Sequence, residues 1–85
     1  MASYKSFDDP VALVEILAPK DEINNIQGQT ARDMAEKYVH MSGNFPSLIR
    51  NLKKGEETQK DRTVTQIFVR LRMRAQNLLD DLVEN

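Results

Sequence analysis

The sequence predicts an all-α fold: a small irregular or orthogonal bundle of four to five helices, closed by a long amphipathic C-terminal helix. Three observations predict it. Apolar residues in the last third of the chain recur at helical rather than strand spacing. Asp-Pro and Asn-Phe-Pro stand ahead of two of the apolar runs, as helix starts do. The three glycines stand singly, each at an expected helix end.

The first element is "DDPVALVEILAP". Asp9 is placed to cap, Pro10 suits the first helical position, and Pro19 stops the run. Val11, Leu13, Val14, Ile16 and Leu17 cover much of the circumference. A strand over residues 11–17 is the competing reading. The Asp-Pro start and the lack of clean alternation favour the helix. "PKDEINNIQG" follows as a short helix or turn, with Asp21 and Glu22 near amide groups that favour anions. Ile23 and Ile26 are expected to point inward, and Gly28 to end the segment.

A third element is read in "TARDMAEKYVHMSG". Thr30 and Asp33 have capping-box spacing. Ala31, Met34, Ala35, Tyr38 and Met41 share one face, with charged residues mostly on the other. Gly43 ends it. "NFPSLIRNLKKG" is short and well punctuated: Asn44 or Phe45 caps, and Pro46 opens the helix. Phe45, Leu48, Ile49 and Leu52 form its stripe. Lys53 and Lys54 are expected in its last turn, with Gly55 as the stop. The polar stretch "GEETQKD" then reads as a loop, and Asp61 or Thr58 as the cap of the final helix.

That final helix is expected from Arg62 to Glu84, spanning about 34 Å at 1.5 Å per residue. Val64, Phe68, Leu71, Ala75, Leu78 and Leu82 recur at spacings of three and four, and Ile67, Leu79 and Val83 widen the stripe. The inner residues occupy roughly 120° of the wheel, wider than a coiled-coil seam and suited to packing within one domain. Such a helix is long for so small a chain, and its end is expected to project toward a partner.

At 85 residues the chain reads as one domain, 1–85, with residues 1–8 expected as a flexible N-terminal arm. A domain this small buries a limited core, which favours self-association or a partner. There is no cysteine, so neither a disulfide framework nor a thiolate nucleophile exists. No apolar run approaches the roughly 18 residues of a membrane span. The opening "MASYKSFDDP" lacks the apolar region of a secretory signal. A cytoplasmic or otherwise intracellular protein is expected, with a viral or phage origin compatible.

Charge is uneven along the chain. Residues 1–49 carry a balance of −3, residues 50–74 one of +5, and residues 75–85 one of −3. The second half is locally basic, without the overall basic composition of a dedicated nucleic-acid binder.

Convergent reactive groups are missing from the pattern. His40 is the single histidine and falls on the polar side of its helix. The adjacent acids Asp8-Asp9, Asp21-Glu22 and Glu56-Glu57 diverge if helical, and read most simply as caps or dipole partners. Asp80-Asp81 falls near a helix C-terminus, where negative charge is slightly unfavourable. The mismatch is either incidental or meets a basic partner surface. No phosphate loop, dinucleotide fingerprint or calcium loop occurs. A non-enzymatic chain with no catalytic residue, metal site or small-molecule cofactor is the expectation.

Arg70, Arg72 and Arg74 bracket the apolar stripe, Arg70 and Arg74 on one flank and Arg72 on the other. The simplest reading is that long basic stems cover the edges of the core. The functional reading joins Val69, Arg70, Met73 and Arg74 into an outward protein-contact patch with a basic rim. A third gives Lys53, Lys54, Lys60 and Arg62 to phosphate contact, with "SLIRNLKKG" posing as a recognition helix. The expected function is therefore a non-catalytic protein–protein interaction, adaptor, regulatory or assembly module. Its partner is another protein, a second copy, or both, with no membrane. The alternative is a small DNA- or RNA-binding protein using the basic surface of residues 50–74.

Overall fold

The computed structural model describes residues 6–22 and 26–84. Among them lie four α-helices: α1 (Pro10–Leu17), α2 (Ile26–Ser42), α3 (Phe45–Thr58) and α4 (Arg62–Glu84). A short 3₁₀ turn, Lys20–Glu22, follows α1. The all-α bundle with a long C-terminal helix is thus the observed architecture. Its longest dimension, 38 Å, is close to the length of α4, which sets it.

Local chemistry accounts for several boundaries. Asp9 caps α1, its Oδ1 accepting the Ala12 N–H at 3.2 Å, and Pro10 occupies the first turn, where a missing N–H costs nothing. Asn44 caps α3 by accepting the Ser47 N–H at 2.9 Å. Asp61 caps α4, accepting from Thr63 N at 2.8 Å and Val64 N at 3.3 Å. Gly43 has φ +82° and its N–H donates to Val39 O, the left-handed closure that lets α2 stop and α3 start with only Gly43 and Asn44 between them.

Other boundaries correct the sequence reading. Gly28 lies inside α2, buried, and does not end a segment. Thr30 also lies inside α2, and Asp33 accepts from the Gln29 side chain instead of closing a capping box. Gly55 lies inside α3, which runs on to Thr58, so Lys53 and Lys54 are not in its last turn. The expected loop from Gly55 shrinks to Gln59–Asp61.

The reason at Gly55 is tertiary. A Cβ there would meet the Phe68 ring, with Cζ at 2.6 Å and Cδ1 at 2.9 Å. Glycine serves close approach between two helices, not termination. Met41 is also corrected: it is exposed, and Val39 takes the inward position. The expected inward turn of Ile23 and Ile26 falls outside the described side chains. Of the expected arm, residues 1–5 lie outside the described residues. Ser6 forms a bridge with Asn44, and the Phe7 ring meets Phe45 edge-on at 5.1 Å.

The core runs through all four helices: Leu13, Val14 and Leu17 from α1, Ala35 and Val39 from α2, Leu48 and Leu52 from α3, and Phe68, Leu71 and Ala75 from α4. The most extensive pairing is the α3–α4 hairpin. Tyr38 of α2 closes on it, its ring edge-on to Phe68 at 5.3 Å. Asn51 donates to Ser42 Oγ at 3.0 Å and ties α3 to the end of α2. Arg32 reaches from α2 to α1 as a bidentate partner of Glu15, one bond at 3.1 Å and the other to Oε1.

Candidate interaction site

The three arginines of α4 have different fates. Arg72 donates through Nε to Glu56 Oε2 at 2.7 Å, bridging α4 to α3. Arg74 donates to the Leu17 carbonyl at 2.7 Å. Leu17 is the last residue of α1, so the guanidinium satisfies a terminal carbonyl and places positive charge where the helix dipole favours it. Arg70 is exposed. Two of the three therefore join helices within the chain, each across one edge of the core.

The expected patch of Val69, Arg70, Met73 and Arg74 is consequently divided. Met73 is 55% exposed, Arg70 is exposed and Val69 is half-buried on the outward side of α4. Arg74 is half-buried and turned to α1. Lys53, Lys54, Lys60 and Arg62 are all exposed around the α3–α4 turn. Glu57 and Asp61, also exposed, interrupt that stretch.

A groove that the sequence reading did not assemble opens at the other end of the molecule, between α1 and the last turns of α4. It has a volume of about 310 Å³ and is open to solvent. Leu13, Phe45 and Leu78 form its apolar floor, with Phe7, Ile16 and Leu82 around them. Asp8, Asp9 and Asp81 supply its charged groups, Ser6 and Ala12 complete the lining, and among the described residues no lysine or arginine takes part. Ile16 is 51% exposed and Leu82 41%.

The groove follows from two helix geometries. α1 buries Leu13, Val14 and Leu17, which turns Ile16 to one flank. α4 continues its apolar stripe past Leu78 to Leu82, beyond Phe45, where α3 begins. The signals were present in the sequence as Ile16, Leu82 and the Asp80-Asp81 mismatch. Nothing in their spacing says that they converge.

Glu15 has its pKa lowered, chiefly by the hydrogen bond from Arg32, and Arg32 has its own raised by the same bond. This pair fastens α1 to α2 on the flank away from Ile16. His40 is exposed beside Val11 and Arg32 on that flank. Among the described residues no three His, Asp or Glu side chains gather as a metal site. Among them, too, no helix is long and apolar enough to cross a membrane. The chain matches no protein-family model, no curated protein and no solved structure.

Proposed function

We propose that this chain is a non-catalytic protein–protein interaction module of adaptor, regulatory or assembly type. The observation that carries the reading is the open apolar groove between α1 and the end of α4, with Ile16 and Leu82 left uncovered on its two walls. Apolar surface held in a concave, preformed shape is the usual substrate of recognition. Met73 on the outward face of α4 adds a smaller apolar spot beside Arg70.

The nucleic-acid reading draws on the exposed Lys53, Lys54, Lys60 and Arg62. Among the described residues it finds no stacking platform: Phe45 and Phe68 are buried and Phe7 and Tyr38 are half-buried, each engaged in an aromatic pair.

Panning a displayed library of short peptides on the wild type and on an Ile16→Asn/Leu82→Asn variant tests the proposal. Ligands held by the wild type and lost by the variant are expected. Recovery of no groove-dependent ligand would overturn it. The nucleic-acid reading would replace it if a short duplex or single strand bound tightly near 0.15 M salt. That binding would have to weaken steeply with added salt, and removing one of Lys53, Lys54 or Arg62 would flatten the slope by about one unit.

A further inference from the structure

We infer that the α1–α4 groove takes a short amphipathic helix of a partner protein, one that carries lysine or arginine beside its apolar stripe. This rests on the interaction-module reading and names the chemistry of the partner. The sign of the lining is the first ground. Asp8 and Asp9 stand at the start of α1 and Asp81 in the last turns of α4, so carboxylates flank the apolar floor from both helices. With no cation among the described lining residues, a neutral or acidic occupant would leave those carboxylates uncompensated. A basic flank would gain from them in both encounter and register.

The placement of Asp81 is the second ground. A carboxylate near a helix C-terminus opposes the helix dipole and is slightly unfavourable for the isolated chain. A docked cation would offset that cost. Asp9 contributes while still capping α1, because the cap uses Oδ1 alone.

The shape of the groove selects the occupant's conformation. Its long sides are α1 and the end of α4, with residues 6–9 and Phe45 of α3 completing it, and among the described residues the Ser6–Asn44 bridge is isolated and leaves no sheet edge for an extended peptide to extend. An apolar stripe at i and i+3 or i+4 on a docked helix would reach the floor between Ile16 and Leu82.

A second copy of the chain fits less well. A two-fold contact through this groove would set Asp8, Asp9 and Asp81 of one copy near those of the other. Of the chain's own exposed cations on or beside α4, Lys60 and Arg62 lie about 28 Å along the helix from Asp81 and Arg70 about 16 Å, and none of them lines the groove.

The test uses a synthetic amphipathic peptide of about four helical turns with leucine and phenylalanine on one stripe and lysine on the flanks. A second peptide has every lysine replaced by glutamate. Fluorescence anisotropy on the full chain should show the basic peptide bound and the acidic one not. Ile16→Asn/Leu82→Asn should weaken the basic peptide about tenfold or more, as loss of a central apolar anchor does. Asp81→Lys should weaken it about threefold to fivefold, as loss of a rim charge does, and shift preference toward the acidic peptide. Circular dichroism should show unchanged helicity in both variants, since the substituted side chains are exposed.

Equal binding of the two peptides, preference for the acidic one, or basic-peptide binding indifferent to Ile16 and Leu82 would overturn the inference. So would no binding of the basic peptide, or wild-type self-association that the Ile16→Asn/Leu82→Asn variant loses. Recovery of neutral or acidic groove ligands by panning would keep the interaction-module reading and reject this partner chemistry. Recovery of no groove ligand would reject both.

Discussion

The α3–α4 hairpin and the α1–α4 end are built from the same kinds of side chain and reach opposite outcomes. In the hairpin Leu48, Leu52 and Leu71 are almost wholly buried. At the other end Ile16, Leu82 and Val83 are roughly half exposed. The difference comes from length. α3 has 14 residues and α4 has 23, so α3 can cover only the first part of the α4 stripe. α1, with eight residues, must cover the rest, and its own inward face is already committed to the core. An amphipathic stripe is buried only as far as a partner helix runs beside it. What extends beyond becomes surface, and here the surplus is concave and edged with acid.

The sharpest way to break this contrast is to truncate one leucine at each end. Leu71→Ala should cost roughly 2–5 kcal/mol, because Leu71 is 1% exposed and leaves a cavity. Leu82→Ala should stay within about 0.5 kcal/mol, as expected for an exposed side chain outside a built contact. Urea unfolding followed by circular dichroism reads both. Equal losses would mean that the end of α4 is as well covered as its middle.

The interlock between Gly55 and Phe68 gives the next largest effect. Gly55→Ala gains up to about 1 kcal/mol of helix propensity. It also drives a methyl group into a buried ring, which costs about 1–3 kcal/mol. A net loss is expected, and Phe68→Leu in the same chain should recover part of it. Additive single and double variants would show that the two residues do not share the space.

Arg74→Met keeps most of the stem and removes the bond to the Leu17 carbonyl. A loss of about 1 kcal/mol is expected, below the roughly 1.5–3 kcal/mol of a buried charged hydrogen bond because the side chain is only half-buried. The loss should be local: amide exchange should quicken in α1 and change little in α3. Uniform quickening would indicate that α1 is not separable from the hairpin.

The smallest effect is on pH dependence. Arg32 holds the Glu15 pKa below its ordinary 4.5. A lowered folded-state carboxylate pKa stabilises the fold above the unfolded value, and that contribution fades as pH falls through the folded one. Wild type should therefore lead Glu15→Gln at neutral pH, and the lead should shrink on acidification below 4.5. Thermal unfolding at several pH values measures it. A lead independent of pH would mean that the pair holds α1 to α2 by shape alone.

Much of this molecule was legible in order of residues. Helical class, the span of α4, the Asp9 cap and the close at Gly43 are local facts, governed by neighbours within about one turn, as are the caps at Asn44 and Asp61, each one of two residues the sequence offered there. The sequence also carried the three arginines at the edges of the stripe, but not their partners Glu56 and Leu17, which lie 16 and 57 residues away. Gly28 and Gly55 were misread for a related reason. Glycine is favoured both where a helix ends and where another element comes close, and only the position of Phe68 separates the two at Gly55. The groove was least legible of all. Its walls come from α1, α3 and α4, and its acids from both ends of the chain. Periodicity fixes which face of a helix is apolar, whereas coverage depends on how far each neighbouring helix extends in space.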